Sequence, residues 1–273
     1  MSRYMGVFYD THAHLSSREF AGDLEDLLAR AAAAGITRIV TVGIDLRSSQ
    51  RVVQIASDHP MVYAAVGWHP THADDAPEDV RSDLRDLARH PKVVAIGETG
   101  LDYFHLPSKR GGTAADDLRH TAKQKELFRQ HLELAAEMGL NCVVHERKSF
   151  EDVLEAVRPF AGRVRGQFHC FSGDVAALQR VLALGSIVSY TGILTFKNSG
   201  TVREAFAATP LQHFMLETDA PYLAPEPYRG KRCEPAYVRE IAAAAAAVKG
   251  ISLEELSEAT CAAAQAFFPR MGR

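Results

Sequence analysis

A chain of 273 residues with 47% hydrophobic and 24% charged residues can bury a large core, which excludes a disordered or fibrous protein. Its net charge of −3 excludes a broad basic stripe for gripping long nucleic acid, so any phosphate contact must be local. The four cysteines, Cys142, Cys170, Cys233 and Cys261, form no CxxC pair, which argues against a zinc ribbon or a disulfide framework and for a reducing compartment.

Residues 1–6 show no leader pattern, and no run approaches the roughly 20 apolar residues of a membrane span. A cytoplasmic protein with no membrane partner is expected. Along the chain, eight short apolar runs follow at residues 7–12, 38–42, 61–67, 93–97, 141–145, 165–170, 186–190 and 214–218. Between them, stretches such as 24–34, 124–138 and 176–184 have helical period and stop at Gly35, Gly139 and Gly185, as helices do where a glycine can turn left-handed. The alternation predicts parallel βαβ units. Eight of them close into a (β/α)₈ barrel, with a doubly wound open sheet as the alternative. No linker or composition break divides the chain, so a single domain over residues 1–273 is expected. Residues 234–266 are helical in pattern, with an alanine run at 242–247, and are expected to pack outside the barrel. Ser252-Leu-Glu-Glu255 reads as a capping box at a helix start within them.

Histidines and acids gather where these strands end, which is the catalytic face of such a barrel. Strand one ends Asp10-Thr-His12-Ala-His14. Residues two apart in a strand point the same way, so both imidazoles can meet one ion, although an HxH pair alone also fits two surface histidines. Glu98 follows four β-type apolar residues, where an acid is costly unless paired or ligating a cation. Its two oxygens could bridge two ions, and a salt bridge in the barrel mouth is the alternative. His145 and His169 close strands five and six; either alone would fit a hydrogen-bonded core histidine. Asp219 follows strand eight and completes four histidines, one glutamate and one aspartate on five strands.

Two divalent cations bring +4 to a Glu and Asp that bring −2, leaving an electropositive centre suited to a phosphate ester. They would activate a shared water and neutralise the attacked phosphoryl group, with Asp219 as general base and Glu98 between the ions. The donor set admits Mg, Mn, Zn or Co. In the loops, His69, Arg147, Arg229, Lys231 and Arg232 stand out. They are candidates for gripping non-reacting phosphates, since Arg can engage phosphate oxygens by a two-pronged hydrogen bond, while a solvated charged turn fits the Arg229–Arg232 cluster equally.

These stretches together resemble the TatD family of metal-dependent deoxyribonucleases among the amidohydrolase-like barrels. The matching segments are Asp10-Thr-His-Ala-His-Leu15, Gly67-Trp-His-Pro70, Gly97-Glu-Thr-Gly-Leu-Asp-Tyr103, Val143-Val-His-Glu-Arg147, His169-Cys-Phe-Ser-Gly173, Tyr190-Thr-Gly-Ile193 with Thr195-Phe-Lys-Asn198, and Leu216-Glu-Thr-Asp-Ala-Pro-Tyr-Leu-Ala-Pro225 with Arg229-Gly-Lys-Arg232. The resemblance implies a two-metal site at the six ligands above and hydrolysis of DNA, as a 3′-to-5′ exonuclease preferring single strands. It also implies that His69 and Asp102 lie near substrate and the Arg229–Arg232 loop near phosphate. Two departures are visible: residues 105–120 read as an unusually long loop, and Cys233 stands where the family more often has Asn. Fold and ligand set alone leave open another ester, amide or aminoacyl-tRNA substrate, and a non-catalytic metal-holding scaffold is the remaining alternative.

Overall fold

The computed structural model describes residues 6–272, so the expectation about residues 1–6 lies outside the described residues apart from Gly6. Eight strands alternate with helices: β1 Phe8–Ala13, α1 Leu24–Ala33, β2 Ile36–Val42, α2 Leu46–Asp58, β3 Val62–Val66, α3 Arg81–Ala88, β4 Val93–Asp102, α4 Ala114–Met138, β5 Asn141–Arg147, α5 Phe150–Val157, β6 Gly166–Phe168, α6 Val175–Ala183, β7 Ile187–Tyr190, α7 Gly200–Ala208 and β8 Phe214–Leu216. Two more helices follow, α8 Val238–Lys249 and α9 Leu253–Phe267.

The strands pair in chain order, each parallel to the next. Between the first and the last, Ala13 bridges Ala220 in parallel, Thr11 Oγ1 donates to Leu216 O at 3.1 Å, and Asp219 N donates to His12 O at 2.9 Å. This return of the last strand to the first selects the barrel over the open doubly wound sheet. Strand residues are buried on both faces, because side chains alternate between the barrel interior and the surrounding helices.

Boundaries depart from expectation in an instructive way. β6 and β8 stop early, since Cys170 (φ 48°) and Asp219 (φ 60°) turn left-handed and carry their neighbours out of the strand. β4 and β5 instead run on to Asp102 and Arg147, so Glu98 and His145 sit within strands rather than at their ends. Gly100 permits this close pairing: at φ 137° a Cβ there would lie 2.0 Å from His145 O.

The long loop expected at 105–120 is corrected: α4 already begins at Ala114. Thr113 accepts from Asp116 N while the Asp116 side chain reaches back to Thr113 N, a full capping box. At Ser252 only the forward half forms, its side chain accepting from Glu255 N. Gly35, Gly139 and Gly185 all have positive φ just past their helices, as expected of helix stops.

The C-terminal helices lie outside the strands, but α9 also closes one end of the barrel. Phe267, Phe268 and Met271 are fully buried and cluster with Val40, Val94, Ile187 and Met215. Asn141 Nδ2 donates to Phe267 O at 2.6 Å, and the Arg270 guanidinium donates to Val93 O at 3.0 Å. Both partners begin strands, so α9 plugs the end opposite the histidines. Each buried aromatic there contributes about 1.5–3 kcal/mol by leaving water. All four cysteines are free. No helix among the described residues is long and apolar enough to cross a membrane.

Candidate metal centre

The strand register gathers the predicted residues at the C-terminal mouth. His12 and His14 lie one pleat repeat apart on β1 and the turn after it, and their Nε2 atoms are 3.4 Å from each other. Asp219 Oδ1 is 3.6 Å from His12 Nε2 and 3.2 Å from His14 Nε2. Glu98 Oε2 is 3.4 Å from the first and 3.7 Å from the second. The other oxygen of Glu98 faces a second group: Oε1 lies 2.9 Å from His169 Nε2, 3.0 Å from His145 Nδ1 and 3.3 Å from His69 Nε2. His145 Nδ1 is in turn 3.3 Å from His169 Nε2 and 3.2 Å from His69 Nε2.

Such crowding fits a cation better than it fits hydrogen bonding. Two ring nitrogens can share at most one proton, and an acceptor-only pair repels. Glu98 Oε2 is buried with no hydrogen-bond partner, an arrangement that costs free energy unless something positive completes it. Donors about 2.0–2.2 Å from a tetrahedral ion lie about 3.3–3.6 Å apart, close to the separations in the first group. Among the described residues, His12, His14 and Asp219 form one group able to hold a metal ion, His69, Glu98 and His145 a second, and His12, His169 and Glu217 a third.

Protonation follows the same crowding. Burial works against a charged Glu98, but His69, His169 and His12 outweigh it and hold the carboxyl well below its ordinary value. Burial opposes protonation of His169 as well, yet Glu98 and Glu217 raise it well above the ordinary imidazole value. Burial lowers His69 to about 4 against the pull of Glu98, so this ring is neutral near pH 7, the form in which imidazole binds metals.

Carboxylates lie behind the candidate ligands. Asp102, expected near substrate, packs against His145 and His105. It is 1% exposed, its Oδ2 lies 3.1 Å from His145 Nε2 and 2.9 Å from His105 Nδ1, and its Oδ1 accepts from the Phe104 and His105 amides. Burial is overcome by these bonds, which hold its carboxyl well below the usual range. Glu217 lies 3.6 Å from His169 Nδ1 without a hydrogen bond to it, and accepts from Ser189 Oγ at 2.7 Å and Gln167 Nε2 at 3.0 Å. Asp10 accepts from Thr218 N at 2.9 Å and Thr218 Oγ1 at 2.6 Å, tying β1 to the turn that presents Asp219. Sequence reasoning missed Glu217 and Asp10. The signal was there: each is an acid inside an apolar strand run, two residues before a ligand.

The loop cations divide. Arg232 is not brought to the mouth as a free phosphate grip: its guanidinium holds Asp23 Oδ2 at 2.7 Å and Glu234 Oε1 at 3.2 Å and stacks 5.0 Å over Phe20. Arg147 lies 4.2 Å over the Phe104 ring and Arg229 3.7 Å over Phe196, both exposed. Lys231 is exposed near Tyr228. Arg147, Arg229 and Lys231 form no ion pair among the described residues.

An eight-stranded parallel barrel with imidazole and carboxylate clusters at its C-terminal mouth defines a metal-dependent hydrolase of the amidohydrolase-like class. Residues 9–269 match the TatD related DNase family. The metal-dependent hydrolase YabD of Bacillus subtilis, itself uncharacterized, is 36% identical over 263 residues, covering 96% of this chain and 99% of its own. A 3′-5′ ssDNA/RNA exonuclease, TatD of Klebsiella pneumoniae, is 32% identical over 269 residues, covering 95% and 97%. The crystal structure of YJJV, a TatD homolog from Escherichia coli K12, superposes with a TM-score of 0.87 at 27% identity over 96% of this chain and 98% of its own. The chain belongs to the TatD family of metal-dependent hydrolases.

Proposed function

We propose that this hydrolase is a deoxyribonuclease that removes nucleotides from the 3′ end of single-stranded DNA with two divalent cations, Mg, Mn, Zn or Co. The observation that carries the two-cation reading is the division of Glu98, whose Oε2 faces His12, His14 and Asp219 while Oε1 faces His145, His169 and His69. DNA as substrate is supported by the similarity to the Klebsiella exonuclease. Bound between these groups, the cations would lower the pKa of a water and neutralise charge on the attacked phosphoryl group.

The protein's residues divide the remaining work by exposure. Glu98 is 2% exposed and so holds position, whereas the Asp219 side chain is 14% exposed and can meet water and substrate. Asp219 is therefore the proton acceptor. Its left-handed backbone, φ 60°, is a costly conformation for a non-glycine residue, held by Thr218 on Asp10. His69 contributes a neutral imidazole to the second group. The exposure of Arg147, Arg229 and Lys231 and their lack of carboxylate partners among the described residues support a role in taking non-reacting phosphates, and Arg232 fixes the loop that bears two of them.

The test is a matrix of substrates against cations, on protein of known metal content. Mononucleotide release from 5′-labelled single-stranded DNA, faster than hydrolysis of aminoacyl-tRNA or small phosphodiesters, is expected. Intact DNA at high enzyme concentration with every cation would overturn the proposal.

A further inference from the structure

Only four large hydrophobic side chains among the described residues are exposed: Val7, Phe104, Leu118 and Tyr222. The two aromatic ones both sit at the metal mouth, one beside each cluster. Tyr222, 55% exposed, follows Asp219 by one turn, its amide donating to Asp219 O at 2.9 Å, and its ring stands edge-on 5.9 Å from His14. Phe104, 46% exposed, is pinned by its amide to Asp102 Oδ1 at 2.9 Å, and Asp102 holds His145. The Arg147 guanidinium carbon lies 4.2 Å from the centroid of the Phe104 ring.

An exposed aromatic ring forgoes the free energy of burial, and here each is anchored through its backbone beside a cluster, Tyr222 N on the Asp219 carbonyl and Phe104 N on the Asp102 carboxylate. Rings so held, one of them against a guanidinium that lacks a carboxylate partner, provide stacking surfaces for flat aromatic groups carrying negative charge. Paired bases in a duplex have both faces covered and cannot use such surfaces. We infer, on the nuclease reading above, that Tyr222 and the Phe104–Arg147 pair are base-stacking subsites that grip unpaired bases on either side of the cleaved phosphodiester. Preference for single strands then arises from the need to unstack a base before it reaches the ring. The grip is tolerant of sequence, because every base has a π face.

Binding separates this from the hydrolytic proposal. Metal-loaded full-length protein is titrated by fluorescence anisotropy with a 5′-labelled oligothymidylate and with an oligonucleotide of the same length whose 3′-terminal nucleotides are abasic, both with hydrolysis-resistant phosphorothioate linkages. Wild type is expected to prefer the base-bearing strand by about ten-fold or more, and Tyr222→Ala and Phe104→Ala each to shrink that preference by about five-fold or more. Tyr222→Phe keeps the ring and is expected to keep the preference. Equal preference in wild type and both alanine variants would overturn the subsites even where wild type degrades DNA. A wild type that degrades no DNA but still shows the ring-dependent preference would overturn the nuclease reading and leave the subsites standing. Since both side chains project into solvent, unchanged thermal melting is expected. An alanine variant that melts early is replaced by the leucine variant, in which the same loss of preference is expected, and retained preference would count against stacking.

Discussion

The two ends of this barrel are built from the same strands on opposite terms. At the end closed by α9, Phe267, Phe268 and Met271 fill the space with apolar atoms, and the backbone groups there find donors in Asn141, Arg38 and Arg270. At the mouth, ring nitrogens face each other and Glu98 Oε2 has no partner. One end supplies folding free energy and the other spends it on a site that a cation would complete. The contrast teaches that conflict confined to one end of a well-packed barrel marks the place of function.

The sharpest way to break this contrast is Asp219→Asn, which keeps shape and removes the proton acceptor. Hydrolysis of single-stranded DNA is expected to fall by about 10²–10⁴-fold while the far-UV circular dichroism spectrum is unchanged; retained turnover would end the assignment. At the other end Phe267→Ala is expected to cost about 3–5 kcal/mol in unfolding free energy, with bound metal per chain as in wild type by elemental analysis. A loss of metal there would show that the two ends are not independent.

His131, buried behind the strand-three turn that carries His69, sharpens the comparison through pH. It is fully buried, accepts from Trp68 N at 2.9 Å and donates to Leu127 O, and burial lowers it to about 4. Below the ordinary value of 6.5 the unfolded chain binds a proton that the folded one refuses. Stability is therefore full above pH 6.5 and drains as pH falls toward 4, by about 3 kcal/mol in all. Urea titrations of wild type and His131→Gln at pH 7.5 and 4.5 are expected to show a smaller acid loss in the variant. An equal loss would place the acid sensitivity at the mouth.

Asp102→Asn is expected to weaken cation binding about 10–100-fold, measured by calorimetry, because Asp102 orients His145. An unchanged affinity would return Asp102 to a substrate role. The smallest effects separate the loop cations. Arg147→Ala should reduce the slope of log affinity against log salt for single-stranded DNA by about 0.7, and Arg232→Ala should leave it alone, its charge already being satisfied by Asp23 and Glu234.

The sequence by itself determined the barrel and the candidate ligands gathered at its mouth, because both are written locally. Apolar runs alternate with helix periods, glycines mark the helix stops, and His12, His14, Glu98, His145, His169 and Asp219 lie in or just after strands, where the barrel brings them together regardless of loop detail. The start of α4 was also legible in Thr113-x-x-Asp116, though only the structure drew notice to that cap. Tertiary structure alone decided which side of each ligand a second carboxylate would occupy. Asp102 came to face His145, Glu217 came near His169, and His69 entered the second group. It also decided that Arg232 would be spent on Asp23, 209 residues away in the chain, while Arg147 and Arg229 remained free of carboxylates. The physical reason is range: hydrogen-bond patterns within a turn and side-chain alternation within a strand depend on near neighbours, whereas pairing of charges and stacking of rings depend on which distant loops the closed barrel sets face to face.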